Sequence, residues 1–216
     1  MQNDIRSQIT DFFAQYPLRA FKKGETLARP QADLPGVLHL VEGRVSQYDI
    51  APSGNEVVIN VFKPGAFFPM SSVINQTPNN YFFEASTAVT VRVAPPADVL
   101  RFLQENPDIV LDLLARVYRG TDGVLRRMAH LMGGDAKSRL LFELLNAAHR
   151  FGEQQDDGSV FVPLREGDLA RHSGLARETI SRQMRVLQAE GLVQVVSGGM
   201  AIPSVAALES GLGSSL

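Results

Sequence analysis

The spacing of apolar residues changes character along the chain, and each change marks an element. Ile5, Ile9, Phe12 and Phe13 recur at helical spacing between Asp4 and Tyr16, predicting a short amphipathic helix that Pro17 closes. From Phe21 to about Pro95 the pattern shortens to apolar runs of strand length: GVLHLVEGRVSQYDI, VVINVF and FFEASTAVTVRVAP. Ser53-Gly54-Asn55 and Lys63-Pro64-Gly65 read as turns between them, so an antiparallel β sandwich or roll is expected. From Ala97 to Met132 the helical period returns. A short helix ends near Asn106 and a long one opens at Pro107, where proline suits the first turn.

The long helix carries more apolar surface than one side can hold. Leu111, Leu114, Tyr118, Thr121, Leu125, Met128 and Met132 alternate spacings of three and four, which is a heptad seam. A second stripe, Val110, Val117, Val124 and Leu131, repeats every seven and is expected to pack on the roll. With one stripe on the roll, the seam calls for a partner helix, and a homodimer through a parallel coiled coil is expected. The alternative is that one chain buries both stripes. Gly120 and Gly123 each cost about 1 kcal/mol relative to Ala inside a helix and allow close approach there. Gly133-Gly134-Asp135 then breaks the helix, with Asp135 placed to cap a helix from Ala136 to Arg150, so this break is a candidate hinge.

Beyond a polar loop, Gly152 to Gly158, Val160-Phe161-Val162 reads as a strand. The stretch Leu164 to Leu192, LREGDLARHSGLARETISRQMRVLQAEGL, reads as helix, tight turn and helix. The first helix starts near Arg165 with Glu166 and Asp168 in its positive opening turn, and Leu169 and Ala170 face inward. Gly174 makes the turn. In the second helix Ile180, Met184 and Leu187 form a buried stripe, while Glu178, Ser181, Arg182 and Arg185 share a polar face. Leu192 to Val196 and Met200 to Ile202 flank Ser197-Gly198-Gly199 as a hairpin wing, and the tail from Glu209, ESGLGSSL, is too rich in Gly and Ser to expect order.

The polar face suits DNA. An Arg fork matches the O6 and N7 acceptors of guanine, a Glu accepts from the amine of cytosine, and a Ser serves either role in the major groove. The plainer reading is a solvated helix face, since pairs such as Glu178 and Arg182 at i, i+4 occur on many surfaces. ARETISRQMRVL, Ala176 to Leu187, resembles the recognition helix of the family of the cyclic-AMP receptor protein and FNR. By that resemblance Glu178 and Arg182 are base-reading residues. Arg177 matches an Arg of the cyclic-AMP receptor branch and Ser181 a Ser of the FNR branch, so this helix mixes the two. The strings FKKGETL, VEGRVSQY, SGNEVVI and KPGAFF resemble the same family's glycine-punctuated roll, with Gly24, Gly43, Gly54 and Gly65 at its turns. Glycines permit tight corners whatever the roll binds.

Composition narrows the chemistry. The 216 residues suffice for two modest domains, and no run of eighteen apolar residues or N-terminal leader points to a membrane, so a cytoplasmic location is expected. The absence of Cys excludes disulfides and Cys-held iron–sulfur clusters, by which the FNR branch senses oxygen. A net charge of −2 argues against a generally basic nucleic-acid binder, but phosphate contact needs only local cations, and Arg177, Arg182 and Arg185 supply them.

Cyclic-nucleotide binders of this family carry a short helix opening with Gly-Glu and, later, an Arg-Ser pair. At the matching places stand Pro69-Met70 and Asn79-Asn80, leaving no cation for a phosphate. Val124 and Leu125 stand where the cyclic-AMP receptor has a polar pair. A cyclic nucleotide is therefore not expected, and an uncharged or apolar effector fits better. The candidate pocket is Phe68, Met70, Asn79, Asn80, Tyr81, Val124 and Leu125, although aromatic and Met clusters are ordinarily core. Some relatives hold haem through a His. Here His39, His130, His149 and His172 lie far apart in sequence, and a lone strand His such as His39 is more often a hydrogen-bonded core residue than a ligand. A metal-dependent cupin-like enzyme would need clustered ligands, whereas the roll holds only His39.

The expected fold is thus α+β, with residues 1–106 as N-terminal helix and effector-sensing roll, 107–134 as dimerisation helix and hinge, and 135–216 as winged helix-turn-helix. The expected function is an effector-responsive transcription regulator, not an enzyme, with double-stranded DNA and a second copy as partners. The resemblance adds RNA polymerase. The alternative is constitutive DNA binding with the roll as a protein-interaction module.

Overall fold

The computed structural model describes residues 2–32, 36–52 and 54–212. Ser53 of the expected first turn and residues 213–216 of the tail lie outside them. Contacts divide the chain into two compact units, Met1–Ile50 with Val58–Thr121, and Ala51–Val57 with Asp122–Leu216.

The first unit is built on two four-stranded sheets. One has the order β1 (Leu18–Phe21), β8 (Val89–Ala94), β3 (Val37–Glu42), β6 (Phe67–Phe68), and the other β2 (Thr26–Ala28), β7 (Phe82–Ala85), β4 (Val45–Ile50), β5 (Glu56–Phe62). The pairings β1–β8, β3–β8, β3–β6, β2–β7 and β4–β7 are antiparallel, as the alternating apolar runs require. One apolar cluster unites Leu38, Leu40, Phe68, Val89 and Val91 of the first sheet with Leu27, Val45, Phe83 and Ala85 of the second. Strand alternation sends the neighbouring positions the other way. Val37, Phe67 and Ala94 join Ile9 and Phe13 of α1 (Gln2–Ala14), Met70 and Val73 of α2 (Met70–Asn75), Val99 and Leu103 of α3 (Pro96–Glu105) and Ile109 of α4 (Pro107–Gly133). The glycines expected at corners, Gly24, Gly43, Gly54 and Gly65, all have φ between 81° and 90°. At Gly43 a Cβ would also collide with the carbonyl of Ala88.

α1 ends at Ala14, short of the expected Tyr16, because the residue before Pro17 is disfavoured in the helical region. It has no basic residue in its last turn. Arg92 of β8 fills that role, its Nη1 donating to the carbonyls of Ala14 at 2.8 Å and Tyr16 at 2.6 Å.

α4 corrects one expectation. Val110, Val117 and Val124 do not pack on the roll but stand 40%, 55% and 42% exposed. Ile109 and Leu113 pack there instead. The reason is helical geometry: Val110, Val117 and Val124 each precede the seam residues Leu114, Thr121 and Met128 by four positions, so the second stripe widens the seam rather than opposing it. Leu111, Leu114, Tyr118, Leu125, Met128 and Met132 are likewise 47–79% exposed, and Thr121 is exposed. One chain therefore does not bury both stripes.

The second unit centres on α5 (Ala136–Phe151). Asp135 caps it as expected, its Oδ1 accepting from the Ser138 amide at 2.8 Å, and that hydrogen bond holds the carboxyl below its ordinary range. Leu140, Leu141, Leu144 and Leu145 meet Leu169 of α6 (Glu166–Ser173), Ile180, Met184 and Leu187 of α7 (Arg177–Ala189), and Met200 and Ile202 of the wing strand β12 (Gly199–Ile202). With β11 (Gln194–Val196), the wing sheet has the order β11-β12-β10-β9. Its outer strand β9 (Glu153–Gln154) lies in the stretch expected to be loop, pairing with β10 (Val160–Val162). Part of the expected disordered tail is also ordered. α8 (Val205–Gly211) is capped by Ser204 and buries Leu208 in the same core, which outweighs the weak helix propensity of its Ser and Gly.

His39 belongs to the core as expected, but without the expected hydrogen bond. The ring is 4% exposed and stacks on Phe13 at 4.6 Å, and neither ring nitrogen has a partner among the described residues. Burial, then the charges of Arg92 and Arg116, push its pKa down to about 4. A His with a depressed folded pKa contributes stability above its unfolded pKa, about 6.5, and loses it as pH falls from there toward 4. At about 1.4 kcal/mol per unit, the limiting loss is about 3 kcal/mol. Urea unfolding at pH 7 and pH 4.5 should show a smaller acid loss in His39→Phe than in the parent; equal losses would assign the acid sensitivity elsewhere.

Candidate nucleic-acid interface

The helix-turn-helix is shaped by its turn. α6 opens with the Asp168 carboxylate accepting from the Arg165 amide at 2.9 Å, and closes at Gly174, with φ 67° and ψ 14°. That left-handed conformation favours a residue without Cβ. The Gly174 amide returns to the Ala170 carbonyl at 3.0 Å, and Ser173 Oγ donates to the Leu169 carbonyl at 2.7 Å. After Leu175 and Ala176 the chain enters α7. The turn is as short as its sequence implies.

α7 has one dry side. Ile180, Met184 and Leu187 are each fully buried in the core around α5, which fixes the rotation of the helix. The remaining residues then have no choice of direction. Arg177, Glu178, Arg182 and Arg185 are exposed, and Ser181 is half-buried beside them. All the sequence-selected residues of this helix thus share one accessible surface. Its N-cap is Ala176, which supplies no side-chain hydrogen bond, so the leading amides of α7 are not capped by their own N-cap residue. To the edges of bases in a major groove, this surface offers guanidinium donors and one carboxylate acceptor.

The candidate effector residues are not brought together in the same way. Phe68 lies between Phe62 and Phe83, with ring centroids at 4.6 Å and 5.1 Å, in the cluster between the sheets. Tyr81 packs at the edge of that cluster, whereas Met70 packs with the helices on the far face of the first sheet. The strand ends at Phe68 and a helix opens at Met70, which separates the two groups. Asn79 is 4% exposed and keeps its amide bonded internally: Nδ2 donates to the carbonyls of Arg29 at 3.1 Å and Tyr81 at 2.6 Å, and Oδ1 accepts from the Tyr81 amide at 3.2 Å. Asn80 is exposed and accepts from Gln31 Nε2 at 3.0 Å. Val124 and Leu125 are exposed on α4. Among the described residues no group of three or more His, Cys, Asp or Glu is placed to hold a metal ion, and no helix is long and apolar enough to cross a membrane.

One cluster has no counterpart in the sequence reading. Within the second unit, Arg127 Nε donates to Glu143 Oε1 at 2.6 Å, and the same guanidinium donates through a terminal nitrogen to the carbonyl of His172 on α6. The Glu143 side chain is 1% exposed. Burial pushes its carboxyl up, and the Arg127 charge opposes that rise. His172 is held down to about 4, by burial first and Arg127 second, so it is neutral at physiological pH. The signal available in the sequence is Glu143 itself, an ionisable residue on the same helix face as Leu140 and Leu144.

Residues 18–106 match a family model described as cyclic nucleotide-binding domain, and residues 138–210 match one described as Crp-like helix-turn-helix domain. The transcriptional regulator SdrP of Thermus thermophilus is 27% identical over 179 residues, covering 81% of this chain and 84% of that protein. The nitrogen fixation regulation protein FixK of Bradyrhizobium diazoefficiens is 25% identical over 191 residues, 88% of this chain and 79% of its own. Among solved structures, the c-di-GMP-responsive global regulator CLP of Xanthomonas campestris has a TM-score of 0.79 at 19% identity, over 92% of this chain and 99% of that one. A likeness at that identity carries the fold. With the two models matched in this order, and relatives along most of its length that are transcription regulators, the chain belongs to the cyclic-AMP receptor protein/FNR family of DNA-binding transcription regulators, which are not enzymes.

Proposed function

We propose that the protein is a cytoplasmic, effector-responsive regulator that binds a pseudo-palindromic operator as a homodimer, with RNA polymerase as a further partner. The observation that carries the dimer is the apolar face along α4, where Leu111, Leu114, Tyr118, Leu125, Met128 and Met132 stand 47–79% exposed. Such a contiguous seam marks an association surface. A heptad pattern pairs with a second copy of itself about a two-fold axis. Two α7 helices so related would meet half-sites about one helical turn, roughly 34 Å, apart.

In this reading Arg182 donates to guanine and Glu178 accepts from cytosine in a TGA-like half-site, with Ser181 beside them and Arg177 and Arg185 toward the phosphates. The signal is an uncharged or apolar small molecule, since Pro69, Met70, Asn79 and Asn80 offer no cation for a cyclic phosphate. The Gly133-Gly134-Asp135 break supplies the bistable element that an effector would bias. A second reading, constitutive DNA binding with the roll as a protein-interaction module, draws on the Phe62, Phe68 and Phe83 stack, by which the chain's own aromatic side chains fill the space between the sheets. DNA affinity unchanged by every effector candidate would favour it.

Leu125→Glu tests the dimer. Leu125 is 56% exposed in the single chain, so the substitution leaves the monomer's packing alone while setting like charges against each other in the seam. Sedimentation should shift from dimer to monomer; an unchanged dimer mass would remove Leu125 from the interface.

Arg182→Ala tests base reading. It should cost about 1–3 kcal/mol per half-site and relax preference at one base pair, whereas loss of a phosphate contact would weaken all sequences alike and lower the salt slope by about one. Competition binding across single-base operator variants separates the outcomes. Full retention of the parent's base preference would show that Arg182 does not read bases.

A further inference from the structure

Arg127 lies outside α7 and is half-buried, and it joins a buried carboxylate, Glu143, to the backbone of α6. Arg127 lies near the C-terminal end of α4, before the Gly133-Gly134 break. Glu143 lies two turns into α5, and the His172 carbonyl belongs to the last turn of α6, where a helix leaves its carbonyls without helical partners. One guanidinium therefore ties together three helices. Its planar fork can serve a carboxylate and a carbonyl at once, which an ammonium on a flexible stem does less well. The break itself is close-packed: the Gly134 amide donates to the His130 carbonyl at 2.9 Å, Arg139 Nε donates to the Gly134 carbonyl at 3.0 Å, and a Cβ on Gly134 would come within 2.6 Å of the His130 carbonyl.

A buried ion pair adds little to stability over an apolar replacement, and its best-attested use is to select one arrangement among several. Here the arrangement in question is that of α6 on α4. α6 leads through the three residues Gly174, Leu175 and Ala176 into α7, and both helices share the α5 core, so α7 turns with α6. Whatever fixes α6 against the end of α4 fixes the recognition face against the seam.

We propose that Arg127 is a positioning residue for DNA binding: by holding Glu143 and the His172 carbonyl together it sets the helix-turn-helix on the end of α4, and so sets the half-site separation that the dimer accepts. This rests on the reading of α4 as the dimer helix and α7 as the recognition helix. Arg127 touches no base in this scheme. Its loss changes the distance and angle between the two recognition helices and leaves the side chains on each of them as they were.

The experiment uses the full chain and a duplex selected by the parent protein from a randomised pool. Affinities are measured for that duplex, for versions with the half-site separation changed by one or two base pairs, and for versions with single-base changes inside a half-site. One added base pair moves a half-site about 3.4 Å and turns it by roughly a tenth of a helical turn, so a rigid dimer discriminates sharply. Arg127→Met should compress the ratio between the selected and altered separations by roughly fivefold or more while the single-base ratios stay as in the parent. Glu143→Gln, which keeps an acceptor and the packing but removes the charge, should give a smaller change of the same kind and serves in place of Arg127→Met if that variant does not fold. Arg127→Lys should restore the parent's spacing ratios only in part, because it keeps the charge and loses the fork. A dimeric, folded variant that loses affinity equally at all separations would overturn the positioning role and leave Arg127 merely structural. A parent chain that sediments as a monomer would overturn the dimer reading, and this proposal with it, by a result that does not involve Arg127.

Discussion

A helix of 27 residues with apolar side chains on more of its circumference than its own chain covers is the constraint on which the rest of this molecule turns. Ile109 and Leu113 satisfy the first turns of α4 against the roll, and beyond them Leu114, Val117, Tyr118, Val124, Leu125, Met128 and Met132 stand exposed while Leu131 is half-buried. Burying a side chain such as Leu or Met contributes about 1.5–3 kcal/mol, so a seam of this length leaves a large driving force for association. Two copies can cover it at once. In the dimer proposed above, elements fixed to α4 would acquire a fixed separation from their counterparts, so association would do more than hide surface.

The placement of α7 rests on contacts of two kinds. The α7 stripe of Ile180, Met184 and Leu187 sets the rotation of the recognition helix through apolar packing around α5, which has no directional preference of its own. The Arg127 guanidinium adds direction. A hydrogen-bonded ion pair tolerates small errors in distance and angle poorly, so it narrows an arrangement that packing alone would leave broad. Gly134 lies between α4 and α5, its amide bonded to the His130 carbonyl and its own carbonyl accepting from Arg139 Nε, so the break itself is held as well.

Much of this is legible along the chain. The periodicity change at Pro95, the glycine corners of the roll, the Asp135 cap, the Gly174 turn and both faces of α7 are local consequences of residue type, and each is found where its residues predict. The parts that are not legible depend on contacts distant in sequence. α8 exists because Leu208 finds the α5 core, and β9 because β10 offers it an edge. A repeat of seven suggests a face of its own for the second stripe of α4, when four-residue neighbours make it one with the seam. Arg127 and His172 carry no local mark of their pairing. The candidate effector residues fail to converge for a similar reason: Phe68 ends β6 in the cluster between the sheets, whereas Met70 opens a helix that packs on the other side of the first sheet, and closeness in sequence does not register that change.

The roll also shows why fold and ligand have to be argued apart. Gly24, Gly43, Gly54 and Gly65 all hold positive φ and reproduce the corners of a cyclic-nucleotide-binding-like domain, and corners are all that glycines specify. Binding a cyclic phosphate needs a cation or a helix opening aimed at the anion, and those belong to different residues. Here Asn79 directs its amide to the carbonyls of Arg29 and Tyr81 and so closes the chain on itself. The corner residues place no constraint on the chemistry between them, because a glycine carries no side chain to a ligand. A match to the frame carries the architecture of the roll, and its ligand has to be read from the residues between the corners.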